Sequence, residues 1–176
     1  MKTAFKLFAL LLVLGACKEE IIEKEIVIEP DYDKAVAVVH PIGDSGVSGV
    51  VHFEKAENGV HVTAEIEGLE EGNHGFHIHQ WGDCTSPDGK SAGGHFNPLE
   101  EEHSAPTSEM RHMGDMGNIS ANAAGVANID YVDEAINVTM ILGRGIIVHA
   151  GEDDLTSQPS GAAGPRVACG VIGVTE

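Results

Sequence analysis

His77 and His79 stand one residue apart in GFHIHQWGDC, the stretch from Gly75 to Cys84. In an extended strand, side chains at i and i+2 leave the same face. Both imidazoles therefore approach one point in space, while Phe76 and Ile78 turn to the opposite face. Two imidazoles so placed can chelate a metal, or they can be two half-exposed polar residues, and the pair alone does not decide. More donors follow downstream. His95 lies in GGHFNPL, His103 comes next, His112 and Asp115 share RHMGDMGNI, and His149 ends the run IIVH. Six histidines and one aspartate are thus offered from two strand ends and one loop. The remaining four of the ten histidines, His40, His52, His61 and His74, occupy ordinary strand or turn positions and read as structural.

The elements that must position these donors are β in character. AVAVVHPI, from Ala35, and VSGVVHFEKA read as strands, and Asn58-Gly59 marks a hairpin turn into the alternating VHVTAEIEG. GNHGFHIHQ is a fourth strand; GNISA, AAGVANIDYV, AINVTMILG, GIIVHAG and VACGVIGV continue the strand-like series. Two segments break it. Cys84 to Met116 is long and polar, holding Pro87, Pro98, Pro106 and a Gly93-Gly94 pair, and GEDDLTSQPSGAAGPR is rich in glycine. Loops of this length in a compact domain carry function or are disordered. About eight short strands, no convincing amphipathic helix and two long loops predict an all-β antiparallel sandwich or barrel. At 176 residues, with no internal repeat, one domain is expected.

Met1 to Ala16, MKTAFKLFALLLVLGA, has the plan of a secretory signal: two lysines, an apolar run too short to span a bilayer comfortably, then small residues. It leads into Leu14-Gly15-Ala16-Cys17, which resembles the lipobox of bacterial lipoproteins, where the cysteine is lipidated and becomes the first mature residue. The expected organisation is a signal peptide over 1–16, a lipidated Cys17 with an acidic tether over 17–34, and a single domain over 35–176. EIVIEP within the tether has the alternation of an extra edge strand. If Cys17 carries lipid, Cys84 and Cys169 remain, and an oxidising compartment would pair them. The chain is acidic, with 28 Asp and Glu against ten Lys and Arg. Cleavage would remove Lys2 and Lys6 and no acid, leaving eight cations against 28 acids, a charge of −20. Such a surface argues against a nucleic-acid partner.

GFHIHQWGDC, GGHFNPL, RHMGDMGNI, IIVHAGEDDL and GPRVACGVIG, in that order, resemble the successive signatures of copper/zinc superoxide dismutase, a family counted among the β-sandwiches. The resemblance runs from about Ala35 to Glu176. It implies an eight-stranded antiparallel Greek-key architecture with two functional loops, and dismutation of superoxide to dioxygen and hydrogen peroxide. It implies copper on His77, His79, His95 and His149, and zinc on His95, His103, His112 and Asp115, with His95 bridging the two metals. An all-imidazole set suits a redox-cycling copper, and three imidazoles with a carboxylate suit zinc. Asp153 matches the aspartate that accepts hydrogen bonds from one ligand of each metal, here His77 and His103; Glu152 and Asp154 are its neighbouring alternatives. Arg166 matches the arginine that docks the anion. His95 matches the histidine that donates the proton. Cys84 and Cys169 match the family's disulfide.

The spacing of Cys84, five residues after His79 and separated from His95 by the ten residues TSPDGKSAGG, is more like that of bacterial exported members. With the lipobox, it predicts an exported protein anchored by lipid to a bacterial membrane, periplasmic or at the cell surface. A homodimer is allowed but not fixed by the resemblance, because dimer contacts differ between branches. One departure bears on rate. Relatives use lysines near the channel mouth to attract superoxide, whereas the second loop here has no lysine and three acids. An active but weakly steered enzyme is expected.

Overall fold

The computed structural model describes residues 31–176; the expected signal peptide, Cys17, the EIVIEP strand and most of the tether lie outside that range. Tyr32 already packs against the core, and the first strand starts at Lys34. The strands are β1 (Lys34–Pro41), β2 (Ser48–Ala56), β3 (Gly59–Glu67), β4 (Gly72–His79), β5 (Asp115–Ala121), β6 (Ala127–Asp133), β7 (Gly145–His149), β8 (Arg166–Val171) and the two-residue β9 (Gly173–Val174). Eight of them close a ring in the order β1, β2, β3, β6, β5, β4, β7, β8 and back to β1, every pairing antiparallel. This is the expected barrel. Closure leaves the long strands without free edges.

Alternation explains the inner surface. Ala35, Ala37 and Val39 of β1, Val51 and Phe53 of β2, and Val60, Val62, Ala64 and Ile66 of β3 all point into one apolar core. Ala56 pairs with Gly59 across Glu57-Asn58, so the hairpin forms as expected but its turn lies one residue before the Asn58-Gly59 pair, with Gly59 opening β3. Gly59 has a φ of 120°, and a Cβ there would overlap the Asp133 carbonyl.

The run AINVTMILG departs from the expected strand. It forms a single helical turn, α1 (Val138–Ile141), because Asn137 caps it: its Oδ1 accepts from Met140 N at 2.9 Å. Ile136, Val138 and Ile141 still reach the core from that turn.

Strands β4 and β7 are buried on both faces. Phe76, Ile78, Ile146 and Val148 fill the barrel, whereas His77, His79, Ile147 and His149 point outward. The two long loops, residues 80–114 and 150–165, cover that outer face. Ile147 there joins Ala92, Cys169, Ile42 and Cys84 in a second small apolar cluster. Cys84 and Cys169 are disulfide-bonded with Cα atoms 5.8 Å apart, tying the first loop to β8.

Candidate metal centre

Two backbone hydrogen bonds at Ile78 stitch the first loop onto β4, and a third ties the two stitched parts of the loop to each other. Phe96 N donates to Ile78 O at 2.8 Å, Ile78 N to Gly114 O at 3.0 Å, and Gly114 N to Phe96 O at 2.9 Å. A Cβ on Gly114 would overlap Ile78 O, so this close approach needs glycine. The stitching carries His95 to His79, its bridge partner, and brings His112 and Asp115 alongside. His149 arrives from β7, which pairs directly with β4.

Two groups of donors result. His77, His79, His95 and His149 offer nitrogens that all lie within 4.8 Å of one another, as do the donor atoms of His95, His103, His112 and Asp115. His95 belongs to both. All seven residues are buried. In the first group, His77 Nδ1, His79 Nε2, His95 Nε2 and His149 Nε2 are buried and without a hydrogen-bond partner. The opposite nitrogen of each ring is engaged. His77 Nε2 donates to Asp153 Oδ2 at 2.8 Å, His79 Nδ1 to Gly93 O at 3.0 Å, and His149 Nδ1 to Gly164 O at 3.1 Å. In the second group, Asp115 Oδ1 lies 2.7 Å from His95 Nδ1, 2.9 Å from His103 Nδ1 and 3.1 Å from His112 Nδ1. Asp115 Oδ2 meanwhile accepts from Ser104 N and His112 N. Of the three acids in EDD, Asp153 is the one joining the groups: Oδ2 holds His77, and Oδ1 accepts from His103 Nε2 at 2.9 Å.

Four unpartnered nitrogens facing one point, each ring locked by its far side, are the donor set a bound cation requires. Burial keeps these rings neutral, which metal binding also needs. It pulls His77 down to about 3 and His149 to about 4 from an ordinary 6.5, and lowers His79 and His95 as well. Burial acts downward on His103 too, but Asp115 and then Asp153 outweigh it and raise it to about 9. Burial would raise Asp115 and Asp153; hydrogen bonds from His103, with His95 on one and His77 on the other, hold both well below the usual carboxylate range.

A stability prediction follows for protein stripped of metal by chelation. Between pH 6.5 and 4 the unfolded chain takes up protons on histidines that stay neutral when folded, so stability falls as pH drops through that window. His103 has the opposite sign, but its contribution is complete below 6.5 and is lost only as pH rises through about 9. The urea midpoint should decrease steadily from pH 6.5 to 4. A constant or rising midpoint would contradict the burial of neutral rings.

Arg166, at the start of β8, lines a cleft of about 830 Å³ with His79, His95, His149 and Lys90. It donates from Nη1 to Gly89 O and from Nη2 to Gly93 O, both at 2.6 Å. The two long loops meet there. Lys90, exposed to solvent, lies 2.8 Å from Asp88, which also lines the cleft and offsets part of its field.

Three residues matter here that sequence patterning had left aside. His74, read as structural, is buried and joins His149 O through Nδ1 and Glu70 O through Nε2, both at 2.9 Å. Arg111 donates to the carbonyls of His112 and Asp115 while its Nη2 meets Asp133 Oδ1 at 2.6 Å. Its position directly before His112 was the available signal. Asn118 pairs its amide with both main-chain groups of Asp153, each at 2.8 Å.

Comparison with known proteins points the same way. Residues 47–172 match the family described as copper/zinc superoxide dismutase (SODC). An extracellular Cu-Zn superoxide dismutase of Brugia pahangi is 44% identical over 154 residues, covering 80% of this chain and 76% of that protein. The Cu-Zn superoxide dismutase of Saccharomyces cerevisiae is 46% identical over 154 residues, covering 81% and 98% respectively. An extracellular Cu-Zn superoxide dismutase of Drosophila melanogaster is 46% identical over 139 residues, covering 73% and 76%.

Proposed function

This chain belongs to the copper/zinc superoxide dismutase family, and on that premise we propose that it removes superoxide outside the cytoplasm at two metals sharing one histidine. The reaction turns two superoxide ions and two protons into dioxygen and hydrogen peroxide. His77 Nδ1 and the Nε2 atoms of His79, His95 and His149 would hold copper. His95, His103, His112 and Asp115 would hold zinc. When bound, copper supplies a one-electron redox couple and zinc a fixed positive charge.

The chain's own residues supply the rest. Asp153 fixes His77 and His103 together, so neither ring can turn away. Arg166 binds and orients the anion. Its guanidinium has five N–H donors, and the carbonyls of Gly89 and Gly93 take up only part of that set. His95 would take up and hand on the proton at Nε2, the atom turned toward the copper set, while its Nδ1 stays engaged beside Asp115. Burial of the four rings keeps bulk water off the donor atoms.

The observation that carries this reading is the convergence of four buried, unpartnered imidazole nitrogens from three separate places in the chain, strand β4, the first loop and strand β7. Metal quantification tests it: the purified protein should hold one copper and one zinc per chain, lose superoxide removal on chelation and regain it when both metals return. Bound metal with no such activity would favour a copper or zinc store instead.

Approach of the substrate should be weakly steered. The chain carries a formal charge of −18, and the cleft's two cations, Lys90 and Arg166, are flanked by Asp88. The second-order rate constant should stay constant or rise as salt goes from about 0.01 to 0.15 M. A steep fall would reveal attractive steering.

The lipobox-like Leu14-Gly15-Ala16-Cys17, together with a disulfide suited to an oxidising compartment, supports a lipid-anchored protein of a bacterial envelope. Two of the relatives named above are called extracellular. A homodimer would cover Val38 and Val171, exposed valines lining one groove beside the disulfide.

A further inference from the structure

The geometry points to Gln158 as a positioning residue for the zinc-side imidazole, gripping both main-chain groups of His103 from the second loop. The inference rests on the assignment of His103 to the zinc set. Gln158 Oε1 accepts from His103 N at 2.8 Å, and its Nε2 donates to His103 O at 2.9 Å. The same Nε2 donates to Thr156 O at 3.3 Å, within its own loop. A primary amide has one acceptor oxygen and two N–H donors, so these contacts engage the oxygen and both N–H groups.

The grip matters because the neighbouring backbone has little other support, Ser104 N on Asp115 Oδ2 being the adjacent contact among the described residues. His103 lies in a stretch without regular secondary structure, and neither of its main-chain groups has a backbone partner among the described residues. A ligand on such a segment is only as well placed as its peptide. Gln158 fixes the peptide, Asp153 fixes ring Nε2 at 2.9 Å, and Nδ1 is thereby left beside Asp115 Oδ1. Both restraints come from the second loop. Asn118 does to Asp153 what Gln158 does to His103, pairing with its main-chain N–H and C=O. Two side-chain amides thus anchor the two ends of one histidine–aspartate hydrogen bond. The loop can come this close because Gly161, at a φ of 65°, faces the pair: a Cβ there would overlap Asp153 Oδ1. Residues flanking this grip, Pro159 and Ser160, line the cleft beside His95 and Arg166. The contact therefore also sets one wall of the approach to the site.

The test compares Gln158→Met, which removes both contacts at similar length, with Gln158→Glu, which keeps the acceptor for His103 N and loses the donor to His103 O. Zinc and copper dissociation constants of the full chain are measured separately by competition with chromophoric chelators, so the readout does not depend on activity. Zinc binding should weaken about 10–100-fold in Gln158→Met, the usual effect of removing an outer partner of a ligand. Gln158→Glu should fall between that variant and the parent. Copper binding should change far less, because His103 belongs to the zinc set alone. Parent-like zinc affinity in both variants overturns the inference, as does equal weakening of both metals, which would mean a general loss of fold. If Gln158→Met does not fold, parent-like zinc binding by Gln158→Glu overturns it alone. A parent that binds copper but no zinc overturns the ligand assignment itself, a separate failure visible before any variant is made.

Discussion

His95→Ala should lower superoxide removal by about two orders of magnitude or more, a larger effect than the 10–100-fold typical of losing a partner outside the ligand sphere. The reason is that His95 alone serves both donor groups. Its loss takes one of four nitrogens from the copper set and one of three imidazoles from the zinc set. It also removes a ring that lines the cleft with Arg166. The variant should still fold, because the stitching of this loop to β4 runs through backbone atoms of Ile78, Phe96 and Gly114. Stopped-flow or pulse-radiolysis decay of superoxide measures the effect directly. Weaker metal binding with undiminished turnover per bound copper would mean that His95 is only a storage ligand.

Replacing Cys84 and Cys169 together by serine should destabilise the protein by about 4–5 kcal/mol in the chain-entropy treatment, because the bridge spans 85 residues. For a domain of this size that corresponds to a melting temperature lower by about 10–20 °C. Catalysis should suffer as well. Arg166 hangs from the carbonyls of Gly89 and Gly93, which sit in the loop that Cys84 fastens to β8. Without the bridge the arginine's anchor is free to drift, so the Michaelis constant should rise more than the turnover number falls. Calorimetry and steady-state kinetics on the double variant test both parts. A melting point within about 5 °C of the parent would argue that the loop is held by its other contacts.

Much of this architecture could be read from local patterns, and the exceptions have physical causes. Alternation in AVAVVHPI, VHFEKA and VHVTAEIE located three strands because each has one face in the core and one toward solvent. AINVTMILG was misread because its β-branched, apolar composition suits a strand, while one capping hydrogen bond from Asn137 turns it into a helical turn. The donor residues could be picked out because they cluster in short, ordered motifs. Their supports could not. His74 reaches His149 O across 75 residues of sequence, and Gln158 reaches His103 across 55. Neither contact leaves a local signature, since a side chain that grips a distant backbone is indifferent to the identity of the residue it grips.

Diffraction from crystals grown with both metals, recorded on either side of the copper and zinc absorption edges, tests the shared imidazole most directly. The account predicts two anomalous peaks of different elements flanking the His95 ring, copper at Nε2 and zinc at Nδ1. A ring touching neither peak, or a single peak with no space for a second, would contradict it.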